Sequence, residues 1–173
     1  MEIHILRLGH RLPRDERIST HVALVARAFG ASSMIYTGQH DSGLEESVRR
    51  ICESWGGAFP VAYEKNFKSL IKKYRKDGFS IAHLTMYGIP LEEKVPDLKA
   101  QKKLLLVVGS EQVPGDVYEL ADFNISVTSQ PHSEVAALAI SLDRLMDFNS
   151  LKFKGKIKIR PSEKGKDVIT TDV

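Results

Sequence analysis

The chain has 173 residues, of which 42% are hydrophobic and 27% charged, and its formal net charge is +3. These values are typical of one α/β domain with a sizeable core, and no run approaches the roughly 18 apolar residues of a membrane span. The N-terminal residues are too polar for a secretory signal. The single cysteine, Cys52, excludes an intramolecular disulfide and favours a reducing cytoplasm.

Residues 1–8 have the pattern of a first strand, and a concentration of cationic side chains follows it. The basic and histidine side chains within residues 7–21 are Arg7, His10, Arg11, Arg14, Arg17 and His21. We expect a cationic surface just past the carboxyl end of this strand. A solvated charged turn is an equally good interpretation of the residues alone.

Two helix starts are open for this segment. If the helix begins near Arg14, then Arg14, Arg17 and His21 share one face at spacings of three and four. If instead Ser19 or Thr20 caps the helix, Arg17 lies in the loop before it. The N–H groups and the positive dipole end of that helix would then face the same anion-binding space.

The chain then alternates between helices and strands. The predicted elements are a helix over residues 21–29, a strand over 33–37, a helix opened by a Ser42–Glu45 capping box, and a strand over 59–63. Cys52 and Trp55 fall on the apolar face of the second helix, so they are core residues by default. We assign them no chemistry.

Asn66 is the predicted N-cap of a third helix with a strongly basic outer face. The basic residues on that face are Lys65, Lys68, Lys72, Lys73, Arg75 and Lys76. We favour a solvated face over phosphate contact, because most such runs are merely solvated. A fourth strand over residues 79–84 leads into a loop at 85–88, and a short helix over 91–101 is interrupted at Pro96.

A pair of polar loops carries the strongest signal in the chain. Five consecutive apolar residues, 104–108, are typical of a strand buried on both faces. Gly109 opens a loop at the carboxyl end of that strand, where open α/β sheets place their ligands. A sixth strand, over residues 123–127, precedes the second loop, 126–134. The last helix, 133–146, is apolar almost all round, so we expect a subunit interface there.

This alternation predicts an α/β fold with a mostly parallel sheet of about six strands and helices on both faces. We divide the chain into a domain at residues 1–150 and a basic tail at 151–173. Alternating apolar and basic residues predict a short strand in the tail, and Gly165 allows a hairpin with a return strand at 167–171. A charged edge strand and an RNA-contacting arm are equal alternatives for this tail.

The residues alone leave the chemistry open. No Walker loop, GxGxxG, HExxH or cysteine-rich array is present, and the six histidines are scattered, so we expect no metal site. Ser110, Ser129 and Ser133, with His132 nearby, would suit a hydrolase. No GxSxG frames any of these serines, which makes the hydrolase a weak interpretation.

Four segments in this order resemble a known family: RLGHRLPRDERISTHVALVARAFGA at residues 7–31, LTMYG at 84–88, VVGSEQVP at 107–114 and SQPHSEVAALA at 129–139. Together they resemble the archaeal tRNA 2′-O-methyltransferases that modify cytidine 56 in the TΨC loop, which are members of the SPOUT class. The resemblance implies that S-adenosylmethionine binds in a C-terminal trefoil knot over about residues 80–146. A knot is not derivable from the sequence pattern.

The resemblance also implies roles for individual residues. The cofactor-binding residues would be Leu84, Thr85, Met86, Tyr87, Gly88, Gly109, Ser110, Glu111, Gln112, Val113, Val127, Thr128, Ser129, Gln130, Pro131, His132, Ser133 and Glu134. The RNA-binding residues would be Arg7, His10, Arg11, Arg14 and His21. Arg17 would be the catalytic residue. Because an arginine is effectively always protonated, we expect it to stabilise the developing alkoxide and to hold an adjacent phosphate.

The chain lacks the Asn-led first motif of the bacterial members of this class, so Arg11, Arg14 and His21 compete with Arg17 for the catalytic role. Two functions from different classes are therefore compared. One is S-adenosylmethionine-dependent 2′-O-methylation of tRNA by a cytoplasmic homodimer. The other is RNA binding without catalysis, and a SPOUT-type methyltransferase with another RNA target is a further alternative. The loop pair favours the enzyme, because a simple RNA binder would need charge there rather than a glycine-hinged polar pocket.

Overall fold

The computed structural model describes residues 1–109 and 113–171. The strands are β1 (Glu2–His10), β2 (Ser33–Gly38), β3 (Val61–Tyr63), β4 (Ser80–Pro90), β5 (Lys103–Val108), β6 (Phe123–Ser126), β7 (Ile157–Arg160) and β8 (Asp167–Thr170). The helices are α1 (Glu16–Ala28), α2 (Ser42–Trp55), α3 (Phe67–Lys76), α4 (Leu91–Lys99), α5 (Asp116–Leu120) and α6 (Glu134–Leu145), with a short 3-10 turn at Phe148–Ser150. No helix among these residues is long and apolar enough to cross a membrane.

Strands β1 to β6 form one parallel sheet in the order β3-β2-β1-β5-β4-β6. One apolar layer contains Val22 of α1, Leu44 of α2, Leu98 of α4 and Leu138 of α6. The layer on the other face contains Ile71 of α3 with Val117 of α5. The predicted parallel α/β sheet with helices on both faces is confirmed, and residues 104–108 are buried in its centre as expected.

The observed start of α1 decides between the two helix starts that the sequence left open for residues 7–21. Helix α1 begins at Glu16, and Ser19 lies inside it with no exposed surface, so a cap at Ser19 or Thr20 is wrong. The capping box at Ser42 is also wrong by one residue. Asp41 is the N-cap of α2, because its carboxylate accepts from the Leu44 N–H at 3.0 Å.

The N-cap of α3 is confirmed, whereas two other boundaries differ from the sequence predictions. Asn66 accepts from the Ser69 N–H at 3.1 Å. Helix α4 continues through Pro96, since buried Leu91 and Leu98 anchor it on both sides of the proline. The five-residue helix α5 has no counterpart in the sequence prediction, because one turn is too short for a periodic pattern.

The tail forms the predicted hairpin, with β7 and β8 antiparallel. The segment before it packs against the main domain, where the Phe148 and Phe29 rings lie 5.0 Å apart and the Arg27 guanidinium lies 4.7 Å above the Phe153 ring. Ile159 and Val168 face each other on the hairpin and remain exposed. The domain boundary near residue 150 and the trefoil knot stay predictions.

Candidate active site

A cavity of about 460 Å³ lies at the carboxyl edge of the sheet, within the usual size range of small-molecule sites. Three segments separated in sequence line it together with the start of α1. The lining residues are Arg7, Arg14, Asp15, Ile18, His83, Leu84, Thr85, Met86, Tyr87, Val108, Gly109, Val113, Tyr118, Pro131, His132, Ser133, Glu134 and Ala137.

The first lining segment is a bulge in β4 rather than the loop that the sequence predicts after the strand. Leu84 and Ile89 both pair with Ile125 of β6, so residues 85–88 are displaced from the ladder into the cavity wall. A Cβ on Gly88 would lie 2.4 Å from the Ile125 nitrogen. Only glycine therefore allows this return to β6, although Gly88 itself does not line the cavity.

The second lining segment follows β5. Gly109 approaches Val113 so closely that a Cβ on the glycine would lie 2.0 Å from the valine Cγ2. The predicted cofactor residues Ser110, Glu111 and Gln112 lie outside the described residues. Gly109 and Val113, on either side of those residues, both line the cavity, as the sequence predicts.

The third lining segment is the start of α6. Ser133 caps this helix by accepting from the Val135 N–H at 3.2 Å. Pro131 and His132 line the cavity with it. Residues 127–130, which the sequence assigned to cofactor binding, lie outside the cavity wall, and Thr128, Ser129 and Gln130 among them are exposed.

The charged centre of the cavity is a buried ion pair. Arg7 Nη2 lies 2.9 Å from Glu134 Oε1, and the two side chains are 1% and 13% exposed. Burial raises the pKa of Glu134, and the opposing charge of Arg7 partly counteracts this effect. Arg7 Nε and Nη1 have no hydrogen-bond partner among the described residues. Arg7 is therefore not part of the predicted cationic surface.

A hydrogen-bond network behind the bulge was missed by sequence reasoning. Tyr118 and Thr85 join their hydroxyls at 2.9 Å, and the Tyr118 carbonyl accepts from Asn124 Nδ2. Asn124 Oδ1 therefore faces His83 Nδ1, at 2.9 Å, so this nitrogen donates. Burial lowers the pKa of His83, which keeps the ring neutral. Tyr118 lies on the unpredicted α5, and His83 has the appearance of an ordinary strand residue.

Arg17 lines a second, separate cavity of about 400 Å³ beside the first turn of α1. Its wall consists of Glu16, Arg17, Thr20, His21, Asp41, Gly43, Leu44 and Ser47. Arg17 and His21 are exposed, one helical turn apart. The predicted common face is only partly correct, because Arg14 precedes α1 and lines the first cavity.

His10, a predicted RNA-binding residue, is fully buried, so it does not belong to the cationic surface. Its Nδ1 lies 2.7 Å from Ser19 Oγ, and its Nε2 lies 3.3 Å from Asp41 Oδ2. Burial, together with the charge of Arg7, lowers the pKa of His10. Arg11 and Arg14 remain exposed beside Asp15.

The first cavity fits a nucleoside linked to an amino acid better than it fits a metal ion. Its wall offers apolar surface from Leu84, Met86 and Val108 beside polar groups at Thr85 and Ser133. Residues 1–109 and 113–171 contain no cluster of three or more histidine, cysteine or acidic side chains able to hold a metal. Residues 84–87 of the bulge and Gly109, which the sequence predicts to bind S-adenosylmethionine, lie in the wall of this cavity.

Comparisons with known proteins place this geometry in a family. A family model, Trm56, described as tRNA ribose 2′-O-methyltransferase, aTrm56, matches residues 55–169. A Methanosphaera stadtmanae protein named tRNA (cytidine(56)-2′-O)-methyltransferase is 50% identical over 174 residues, covering 98% of this chain and 99% of that protein.

Solved structures agree on the fold. The crystal structure of the A. aeolicus TrmH/SpoU tRNA modifying enzyme gives a TM-score of 0.60 at 14% identity, over 83% of this chain and 73% of that one. The AdoMet-bound rRNA methyltransferase from Sinorhizobium meliloti gives 0.64 at 21% identity, over 87% and 57% of the two chains. With a family model over most of its length and a relative at half identity, the chain belongs to the Trm56 family of tRNA ribose 2′-O-methyltransferases.

Proposed function

We propose that the chain transfers a methyl group from S-adenosylmethionine to the 2′-hydroxyl of cytidine 56 in the TΨC loop of tRNA. The relative at 50% identity bears the name of this activity. The structural observation that carries the proposal is the convergence of the β4 bulge, the β5 loop and the start of α6 on one cavity. The single cysteine supports a cytoplasmic location.

S-adenosylmethionine would supply an electrophilic methyl group on a sulfonium sulfur. The main chain of residues 84–87 and of Gly109, with the Ser133 hydroxyl, would hold it in the first cavity. Holding two reactants in line removes much of the entropic barrier of a bimolecular step. Predicted contacts from residues 110–112 and 127–130 remain proposals, and so do phosphate contacts from Arg11, Arg14 and His21.

Arg17 would stabilise the negative charge that develops on the ribose oxygen. Because Arg17 lines the second cavity and not the first, we infer that it would serve the first cavity of a partner protomer. Helix α6 supports a dimer, because Ala136 and Ile140 are exposed on it and 42% of Ile140 is accessible.

Dimerisation is tested by sedimentation. We expect a dimer at micromolar concentration and a monomer for Ile140→Glu, because a buried unpaired carboxylate opposes association. Lys72→Glu on α3, which packs on the other face of the sheet, is the charge-changing control and should remain dimeric. A wild-type monomer would contradict the dimer.

The shared site is tested by mixing two variants that are inactive for different reasons. Arg17→Ala should keep cofactor affinity and lose most turnover, and Gly88→Ala should lose cofactor binding. A heterodimer of the two has one intact cavity served by one intact arginine. Recovery of activity on mixing supports service across the interface, and no recovery would place Arg17 in its own protomer's site.

The decisive experiment measures labelled methyl transfer from S-adenosylmethionine to an unmodified tRNA transcript, with the product nucleotide identified by mass. We expect 2′-O-methylcytidine in the TΨC loop. Intact tRNA binding without incorporation would leave a non-catalytic RNA-binding protein. Incorporation at another nucleotide would keep the reaction and change the substrate site.

A further inference from the structure

The group that takes the proton from the ribose hydroxyl is left open by the proposed function. A hydroxyl becomes a competent nucleophile only as its proton leaves, and a positioned base contributes substantially to such a step. Arginine does not accept this proton, because it is protonated at every working pH. The base must therefore be another side chain in the described wall of the first cavity.

The other candidate acceptors in that wall are paired, buried or exposed to solvent. Asp15 Oδ2 accepts from the Arg11 backbone N–H at 3.1 Å, and Asp15 Oδ1 faces Arg14 Nε at 3.8 Å. His83 is fully buried behind Tyr118, and the Tyr118 hydroxyl is bonded to Thr85. His83 Nε2 has no partner among the described residues but is buried, and the His132 ring is exposed, with its Nδ1 3.2 Å from the Ser133 carbonyl oxygen. None of these groups is a basic atom that is both open to the cavity and held by a buried cation.

Glu134 differs from them because a buried cation engages one of its oxygens while the other has no partner among the described residues. Oε1 accepts from Arg7 Nη2 at 2.9 Å. Oε2 has no hydrogen-bond partner among the described residues and does not belong to their buried unpartnered atoms, so it opens to the cavity. Glu134 lines the cavity together with Ser133, Gly109 and residues 84–87, the segments that would hold the methyl donor.

Arg7 holds this carboxylate in a fixed orientation. It lies on β1, which pairs with β2 on one side and β5 on the other, so its backbone is fixed at the centre of the sheet. Its side chain is 1% exposed and reaches Glu134 across 127 positions of sequence. Because Arg7 holds one oxygen of the Glu134 carboxylate, the orientation of the other oxygen is also fixed.

We propose that Glu134 is the catalytic base of the methyl transfer and that Arg7 is its positioning residue. The proton of the ribose 2′-hydroxyl passes to Glu134 Oε2 as the O–H bond breaks. The ribose oxygen forms a bond to the methyl carbon while the bond between that carbon and sulfur breaks. The electron pair of the broken bond stays on sulfur, which becomes a neutral thioether. Charge and atoms balance without another reactant.

Burial supports this role, since it raises the pKa of Glu134 and strengthens the carboxylate as a base. The positive charge of Arg7 limits this rise in pKa. The division of labour with Arg17 follows from their chemistry, because one residue accepts a proton and the other stabilises charge. This inference rests on the proposed function.

The test uses Glu134→Gln in the full-length protein with tRNA transcript and S-adenosylmethionine. We expect the single-turnover rate to fall by about 100-fold or more, while the Kd values for cofactor and tRNA change less than about threefold. In the wild type, the rate should rise with pH until Glu134 is ionised. The variant should lack that limb.

Three further variants separate catalysis from structure. Glu134→Asp keeps a carboxylate, so it should recover part of the rate and retain the pH limb. Arg7→Gln removes the cation that lowers the pKa of Glu134, so the limb should move to higher pH. Glu93→Gln, at an exposed position of α4 that lines neither cavity, is the matched amide control and should retain the limb at its wild-type position.

Failure of the proposed function and failure of the role assigned to Glu134 give different results. If wild-type protein transfers no methyl group to tRNA, the proposed function fails. If the wild type is active and Glu134→Gln stays within threefold of its rate, or keeps the pH limb, Glu134 is not the base. If Glu134→Gln does not fold, the other two variants decide the question: a limb that stays at its wild-type position in Arg7→Gln, or a limb that is lost in Glu134→Asp, overturns the proposal.

Discussion

The two cavities beside the first turn of α1 contain similar side chains in opposite environments. In the first, Arg7 and Glu134 are removed from water and held by the central strand and the start of α6. In the second, Arg17 and His21 are exposed on α1, opposite the N-terminus of α2. A charge in the first cavity is costly to leave unpaired, whereas a charge in the second remains hydrated.

The contrast assigns different kinds of work to the two cavities. Buried charges with fixed partners do not reorganise when a reaction occurs, which is the condition for pre-organised catalysis. Exposed cations adapt to a phosphate or to a neighbouring protomer at little cost. The first cavity therefore has the properties of a reaction site, and the second has those of a docking surface.

The largest expected effect is on stability, from removing one member of the buried pair. Arg7→Met leaves the Glu134 carboxylate buried and unpaired, so the free energy of unfolding should fall by about 3–5 kcal/mol at neutral pH. Arg17→Met removes an exposed cation and should change it by less than about 0.5 kcal/mol. Guanidinium denaturation measures both, and equal effects would remove the contrast between the cavities.

The double variant Arg7→Met/Glu134→Gln sharpens the same result. Without a carboxylate to desolvate, it should recover part of the loss seen in Arg7→Met. The loss in Arg7→Met should also shrink as pH falls, because protonation neutralises Glu134. A loss independent of pH would indicate a packing effect of Arg7.

The second prediction concerns the backbone that forms the first cavity. Gly88→Ala places a Cβ against the β6 backbone, so it should cost about 3 kcal/mol and abolish cofactor binding. Gly115→Ala is the matched control, since nothing lies within 4 Å of its added Cβ and its φ is −53°. Calorimetric titration with S-adenosylmethionine should show wild-type affinity for Gly115→Ala. Retained binding in Gly88→Ala would contradict a cofactor role for the bulge.

The structural features behind these two predictions were not equally predictable from the sequence. The run at 104–108 and the glycines after it predicted the central strand and one lining loop, because burial on both faces leaves a local apolar pattern. The β4 bulge leaves no such pattern, since it arises from pairing of β4 with β6. Sequence reasoning placed residues 85–88 at the site and missed that the strand resumes after them.

Burial of Arg7 was equally invisible. An arginine at the end of a strand predicts a surface cation, and its partner Glu134 is 127 positions away. Only the fold joins them. Arg17, by contrast, was predicted to belong to a cationic surface, and local helical periodicity was sufficient to place it one turn from His21.

The third prediction compares one tyrosine beside each cavity. The Tyr36 hydroxyl accepts from the Asp41 N–H and donates to Glu45, both at 2.9 Å, so Tyr36→Phe should destabilise by about 2 kcal/mol. Among the described residues the Tyr118 hydroxyl bonds to the neutral hydroxyl of Thr85. Tyr118→Phe should cost about 1 kcal/mol and weaken cofactor binding, which Tyr36→Phe should not. The reverse pattern in calorimetry would assign the cofactor to the second cavity.

The smallest expected effect is the pH dependence of stability from the two buried histidines. Burial lowers the pKa of His10 and of His83 below the ordinary 6.5, so below that pH the unfolded chain binds more protons than the folded one. The contribution of these two histidines to the free energy of unfolding should therefore be largest above pH 6.5. It should be lost as the pH falls toward their pKa values in the folded protein. Glu134 acts in the opposite direction, because its raised pKa removes stability as pH rises.

Replacing each histidine separately compares the pKa shifts of the two buried rings. Nearby Asp41 and Asp15 oppose the lowering at His10, whereas only the Asn124 hydrogen bond opposes it at His83. His83→Gln should therefore flatten the acid-side slope more than His10→Gln, measured by denaturation from about pH 5 to about pH 8 in a Glu134→Gln background. A larger effect at His10 would mean that its neighbouring carboxylates offset its burial less than expected.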